Sequence, residues 1–223
     1  MTTDSKVEAS ADAADPAPED PAPEDPAPEG VVSEGAVPEG LVPEGLEVLW
    51  STEDVRRGIE AIAGEVDAAF RDAPAVNLVP VLTGGLHTAA ALSQALERRS
   101  PGKWVVAPVF ASAYAGDAEL GAATAIDFPP GFDGRLAPGM PTLVVDDLLD
   151  SGATMSVLLA ALRARGLADV RLCVLIERVR ERETPLHPDF CAFHLEGDEW
   201  LIGFGMDSGG RLRGLDGVYI RRA

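Results

Sequence analysis

The segment Leu143–Thr154 constrains this chain more than any other. The apolar run Leu143-Val144-Val145 stops at two adjacent carboxylates, Asp146 and Asp147. Leu148 and Leu149 follow, then a loop with a third carboxylate (Asp150), the hydroxyls of Ser151 and Thr154, and Gly152. Apolar residues at helical spacing resume at Met155. A buried strand feeding a helix through a short loop is the joint of a parallel α/β sheet. Such a loop and helix start offer backbone N–H groups and the positive end of a helix dipole to an anion. Paired acids just before it can hold vicinal hydroxyls or a hydrated Mg²⁺. A ligand with a phosphate beside a ribose diol satisfies both halves.

Periodicity elsewhere agrees with that architecture. Ser51-Thr52-Glu53-Asp54 carries helix-start signals, and the helix runs to about Phe70. Leu78 to Leu82 reads as a buried parallel strand, Leu86 to Arg99 as a helix, and Trp104 to Phe110 as a strand. Residues 112–139 are rich in Gly and Pro and read as a long loop with short strands at its edges, the usual form of a functional lid. Pro141 to Val145 reads as a strand, Met155 to Arg165 as a helix, and Arg171 to Ile176 as a strand. Residues 190–205 read as two short strands around a Gly197-Asp198 turn. The expected fold class is α/β, a doubly wound, mostly parallel sheet that binds ligands at the carboxyl ends of its strands.

Composition divides the chain. The net charge of the 223 residues is −19, and residues 1–45 hold twelve acids and one base. Pro-Ala-Pro-Glu-Asp recurs from Pro16, and Val-Pro-Glu-Gly recurs at Val37 and Val42. Such a segment buries too little apolar surface to offset its ordering entropy, so residues 1–45 are expected to be a disordered acidic tail. A solubilising role is the simpler expectation for it, partner docking the alternative. Residues 46–223 then form one domain, large enough for a full core. The acidic balance argues against nonspecific nucleic-acid binding. Cys173 and Cys191 give neither metal spacing nor a disulfide framework. His87, His187 and His194 are scattered and fit no triad or metal set. No apolar stretch has membrane length, so a soluble cytoplasmic protein with no membrane partner is expected.

Leu143–Thr154 resembles the phosphoribosyl-pyrophosphate-binding motif of the type I phosphoribosyltransferases. Val81-Leu82-Thr83-Gly84-Gly85-Leu86 resembles that family's pyrophosphate loop after the first core strand. Glu199 to Asp207, followed by Arg211-Leu212-Arg213, resembles the C-terminal hood of the hypoxanthine-guanine phosphoribosyltransferase branch. Pro188-Asp189-Phe190 fits the same branch, and Ser112-Ala113-Tyr114 resembles its mobile catalytic loop. The resemblance covers about residues 46 to 220.

It implies an Mg²⁺-dependent enzyme that transfers the phosphoribosyl group from phosphoribosyl pyrophosphate to N9 of a 6-oxopurine base. Hypoxanthine and guanine are the first candidates, and the products are the nucleoside 5′-monophosphate and pyrophosphate. Asp150 is then the general base near N7, with a helix N-cap as its structural alternative. Tyr114 belongs to the closing loop. Ser151, Gly152, Ala153 and Thr154 cradle the 5′-phosphate, while Asp146 and Asp147 face the ribose hydroxyls and the Mg²⁺ shell. Thr83, Gly84, Gly85 and Arg213 contact pyrophosphate, and Asp207 coordinates Mg²⁺. Trp200 stacks on the base, with a core tryptophan as its alternative, and Leu201 meets the base edge through its backbone. Arg178 stands 28 residues after Asp150 and 10 before Pro188, where the branch usually has a lysine donating to O6. The family's usual assembly is a homodimer or homotetramer.

Three departures bear on the base. Thr83 stands where many members have lysine, Ala115 where many bacterial relatives have glycine, and Arg178 where lysine is usual. Two other readings follow: a modified or 7-deazapurine substrate, or a non-catalytic nucleotide-binding regulator with the same fold. Against the regulator stand Asp150, Asp207, Arg213 and the acidic charge.

Overall fold

The computed structural model describes residues 42–114, 123–182 and 185–221. The acidic tail up to residue 41 and the loop tip at 115–122 lie outside the described residues, as does the Tyr114 side chain. Along the chain run β1 (Leu46–Trp50), α1 (Thr52–Ala69), β2 (Val76–Leu82), α2 (Leu86–Arg99), β3 (Trp104–Val106), β4 (Val109–Tyr114) and β5 (Ala123–Asp127). Then come α3 (Phe132–Arg135), β6 (Pro141–Leu149), α4 (Ala153–Ala164), β7 (Ala168–Arg178), β8 (Phe190–Leu195), β9 (Leu201–Ile202) and β10 (Val218–Arg221).

The main sheet has the order β5-β4-β2-β6-β7-β8, with β3 also pairing β2. Only β5, antiparallel to β4, departs from parallel pairing. The continuous apolar strands are explained by cores on both faces. In β2, Val76 and Leu78 enter the core under α1 and α2, whereas Val79 and Val81 enter the core under α4. β6 divides likewise, Leu143 and Val145 against Val144. Each such side chain removed from water stabilises the fold by about 1.5–3 kcal/mol. α1 begins with a capping box, Ser51 N–H donating to Asp54 Oδ2 at 3.0 Å and Asp54 N–H to Ser51 Oγ at 3.2 Å.

Four expectations change. The strand expected over 104–110 is split at Ala107-Pro108, where proline has no N–H for the ladder. β6 continues through the acids to Leu149, because Asp146, Leu148 and Leu149 still pair with Val174, Ile176 and Glu177 of β7. β7 correspondingly extends to Arg178. Residues 190–205 are not a hairpin: β8 lies parallel to β7 in the main sheet, while β9 joins β10. The hood is the three-stranded antiparallel sheet β1-β10-β9, so its outer strand comes from the start of the domain. Among the described residues no helix is long and apolar enough to cross a membrane.

Candidate active site

The carboxyl ends of β2, β6 and β7 and the hood enclose a cleft of about 790 Å³. Thr83 and Gly84 form one wall, Asp146, Asp147, Asp150 and Thr154 the floor, and Trp200, Leu201, Asp207 and Arg213 the hood side. Of the described residues expected at the site, only Gly85, Ser151, Gly152 and Ala153 are not on this lining.

The first wall is shaped by crowding. A Cβ on Gly84 would fall 2.6 Å from an Asp147 carboxylate oxygen, and one on Gly85 would fall 2.7 Å from the Val145 carbonyl oxygen. Gly85 N–H donates to the Val81 carbonyl at 2.9 Å, so its glycine answers to close packing against β6. Across the cleft, Gly205 has φ +108°, and a Cβ there would lie 2.1 Å from the Gly84 carbonyl oxygen. The hood therefore seats directly on the β2–α2 loop.

On the floor, Asp147 N–H donates to Asp146 Oδ1 at 2.9 Å and Leu148 N–H to Asp147 Oδ1 at 2.8 Å. Burial, reinforced by the adjacent Asp147 carboxylate, pushes Asp146 well above the usual carboxylate range; burial raises Asp147 as well. Two such acids, all-oxygen donors at a cleft, fit a hard cation whose charge would relieve both. The N-cap of α4 is Gly152, which supplies no side-chain cap, so Asp150 is not the N-cap. Ala153 N–H reaches Ser151 Oγ only at 3.4 Å. That helix start is suited to an anion.

Arg178 takes a role the sequence did not suggest. Its side chain is buried, and it donates to the carbonyls of Gly197 and, at 2.9 Å, Glu199. Its Nε lies 3.4 Å from Asp150 Oδ1. The guanidinium expected to meet a base lies on the cleft lining and also secures the loop that carries Trp200. Arg180 approaches the same Asp150 oxygen at 3.2 Å and also pairs with Asp198. Trp200 is 66% exposed, with Nε1 donating to the Asp207 carbonyl at 2.9 Å. It is thus a surface platform, not a core tryptophan. Arg213 pairs with Asp207 at 2.7 Å and donates to the Gly205 carbonyl at 2.5 Å.

Sequence reasoning missed Arg182. Its side chain is 3% exposed and donates to the carbonyls of Asp150 (2.8 Å), Leu149 (3.3 Å), Leu186 (2.9 Å) and Arg178 (2.6 Å), and to Glu177 Oε1 (2.9 Å). It fastens the end of β6 to the end of β7. No local signal marked it, because four of its five partners are main-chain carbonyls.

Acids and an uncapped helix start, gathered at parallel strand ends beneath a small antiparallel hood, define a sugar-phosphate-binding α/β protein. The chain belongs to the phosphoribosyl transferase domain family, whose sequence pattern matches residues 51–209. Its relatives lie in the hypoxanthine-guanine branch. It is 28% identical over 175 residues to a hypoxanthine-guanine-xanthine phosphoribosyltransferase of Tritrichomonas foetus, covering 78% of this chain and 90% of that one. It is 24% identical to a hypoxanthine-guanine phosphoribosyltransferase of Aquifex aeolicus, covering 78% and 94%. A Trypanosoma cruzi hypoxanthine phosphoribosyltransferase structure superimposes with a TM-score of 0.68 at 20% identity, covering 78% of this chain and 94% of that one.

Proposed function

We propose that this phosphoribosyltransferase transfers the phosphoribosyl group of phosphoribosyl pyrophosphate to N9 of a 6-oxopurine, hypoxanthine or guanine first. The supporting observation is the convergence on one cleft of the Asp146–Thr154 strand, loop and helix start with the Trp200–Arg213 hood. Ser151 to Thr154 receive the 5′-phosphate, and Asp146 and Asp147 face the ribose. Thr83 and Gly84, with Gly85 setting the loop's path, flank the pyrophosphate, which Arg213 meets on leaving Asp207. Asp146, Asp147 and Asp207 would hold Mg²⁺, whose charge would offset that of the departing pyrophosphate. Trp200 lies on the face of the base and the Leu201 backbone on its edge. Asp150 accepts the proton from N7 as the N9–ribose bond forms, and its carboxylate offsets the cationic ribosyl centre. The Tyr114 loop excludes water during transfer. The enzyme acts in the cytoplasm in purine salvage, as a homodimer or homotetramer, which light scattering at two concentrations tests.

Arg178 favours a second reading, a modified or 7-deazapurine base. Its guanidinium already donates to the Gly197 and Glu199 carbonyls, so it would present its remaining N–H groups to a base in another geometry than a lysine would. Pyrophosphate release measured with a panel of bases decides between them. Turnover of hypoxanthine or guanine supports salvage; failure of hypoxanthine, guanine and xanthine sinks it.

A further inference from the structure

Two histidines that looked scattered in the sequence meet at one carboxylate. Glu177, at the end of β7, has a side chain 9% exposed. His187 Nδ1 lies 3.0 Å from its Oε1, and His194 Nδ1 lies 3.3 Å from its Oε2. Cys191, on the neighbouring strand β8, brings its Sγ to the same place: one donor atom each from Glu177, Cys191 and His194 lie within 4.8 Å of one another. Among the described residues no other such group of three occurs.

We propose that Glu177, Cys191 and His194 form a metal site for a zinc-like cation, separate from the acids of the cleft. The donor set decides the class of ion. One oxygen, one imidazole nitrogen and one sulfur suit Zn²⁺ or Co²⁺, whereas Mg²⁺ and Ca²⁺ require oxygens; on binding, the Cys191 thiol gives up its proton and its hydrogen bond to the Phe193 carbonyl at 3.0 Å. Ligands about 2.0–2.3 Å from zinc lie about 3.3–3.8 Å apart in a tetrahedron, so donors already within 4.8 Å of one another have only to close in on the ion. The oxygen–nitrogen edge is already 3.3 Å. The two carboxylate oxygens divide their work. Oε2 faces His194, while Oε1 accepts from Arg182 at 2.9 Å, the kind of outer contact that orients a ligating carboxylate. The fourth position is left to water, as in an open zinc site.

The site would not be isolated from the cleft. Arg182, which holds Glu177, also holds the Asp150 and Leu149 carbonyls. A filled site braces the corner where β6 and β7 deliver the residues around Asp150.

The test uses the full chain, stripped with a chelator and titrated with Co²⁺ in excess Mg²⁺, which keeps the cleft acids out of competition. One Co²⁺ per chain, with thiolate-to-cobalt charge-transfer absorption, is expected. Cys191→Ser abolishes that absorption. His194→Ala, at an exposed side chain that the fold does not need, weakens binding at least about tenfold, the scale of losing even an outer partner. Asp207→Asn changes neither readout. Absorption without charge transfer, or binding unaffected by His194→Ala, overturns the proposal and leaves Glu177 as an ion-pair partner only.

Discussion

Arg178 and Asp150 meet across the ends of β7 and β6, guanidinium Nε to carboxylate oxygen at 3.4 Å. Together with Arg180 at 3.2 Å, this contact holds the Asp150 carboxylate on a cleft that Thr154 and Trp200 also line. Asp150→Asn keeps the shape and removes the base. Turnover should fall about 10²–10⁴-fold, with phosphoribosyl pyrophosphate affinity nearly unchanged by calorimetry. Equal turnover of both proteins would remove Asp150 from the chemistry.

Arg178→Lys separates two roles for this position. A lysine is a single point donor and cannot hold the Gly197 and Glu199 carbonyls as the guanidinium fork does. If Arg178 positions the hood loop, KM for the base rises about tenfold, equivalent to about 1.4 kcal/mol, while KM for phosphoribosyl pyrophosphate stays put. A fall in KM for the base would instead assign the position to direct contact with the purine.

Trp200→Ala should hardly alter stability, because the ring is largely exposed already. Its loss should appear in KM for the base, by roughly 5- to 150-fold, the scale of one base–aromatic stack at about 1–3 kcal/mol. A variant with unchanged KM and a lowered melting temperature would mark the tryptophan as a purely structural part of the hood.

Gly205→Ala attacks the seat of the hood. At φ +108° the new side chain costs on the order of 1–3 kcal/mol in backbone strain, and its Cβ overlaps the Gly84 carbonyl. Denaturant midpoints should drop and KM for the base should rise together. A stable variant with wild-type kinetics would show that hood and β2–α2 loop move independently.

The capping box of α1 makes stability depend on acid. Hydrogen bonds from the Ser51 hydroxyl and N–H hold the Asp54 carboxyl below its usual range. A carboxyl depressed in the folded state contributes above its unfolded pKa of about 3.9 and loses that contribution as pH falls through the folded value. Asp54→Asn should therefore be less stable than the parent at neutral pH, with the gap closing below about pH 4 in denaturant titrations. Ser51→Ala should cost about 1 kcal/mol.

The sequence disclosed whatever is written in side chains. Ser51 and Asp54 announced α1, and Leu86 to Arg99 matched α2, since capping residues and helical spacing are local. The acids at 146 and 147 marked the cleft floor. What stayed hidden was main-chain traffic. β6 was expected to end at Val145 because polarity changes there, yet ladder bonds to β7 ignore side-chain polarity. Arg178 was given to a ligand because its partners, the carbonyls of Gly197 and Glu199, leave no trace in residue identity. β8 and β9 resembled a hairpin because adjacency in sequence cannot tell which sheet each strand joins. His194 and Glu177 are opposite each other in register, a relation that exists only once β8 lies on β7.

The hood's sheet has a consequence for synthesis. β1 is made before any other strand of the domain and β10 after all of them, yet they are neighbours, Leu46 opposite Arg221 and Val48 opposite Tyr219. A nascent chain that has released everything through β8 can close the parallel sheet and its phosphate loop, but β1 has no partner until β10 leaves the ribosome. The hood is thus the last part of the domain to assemble, and ribosomes stalled just short of Val218 would carry a closed parallel sheet whose cleft still lacks its outer wall.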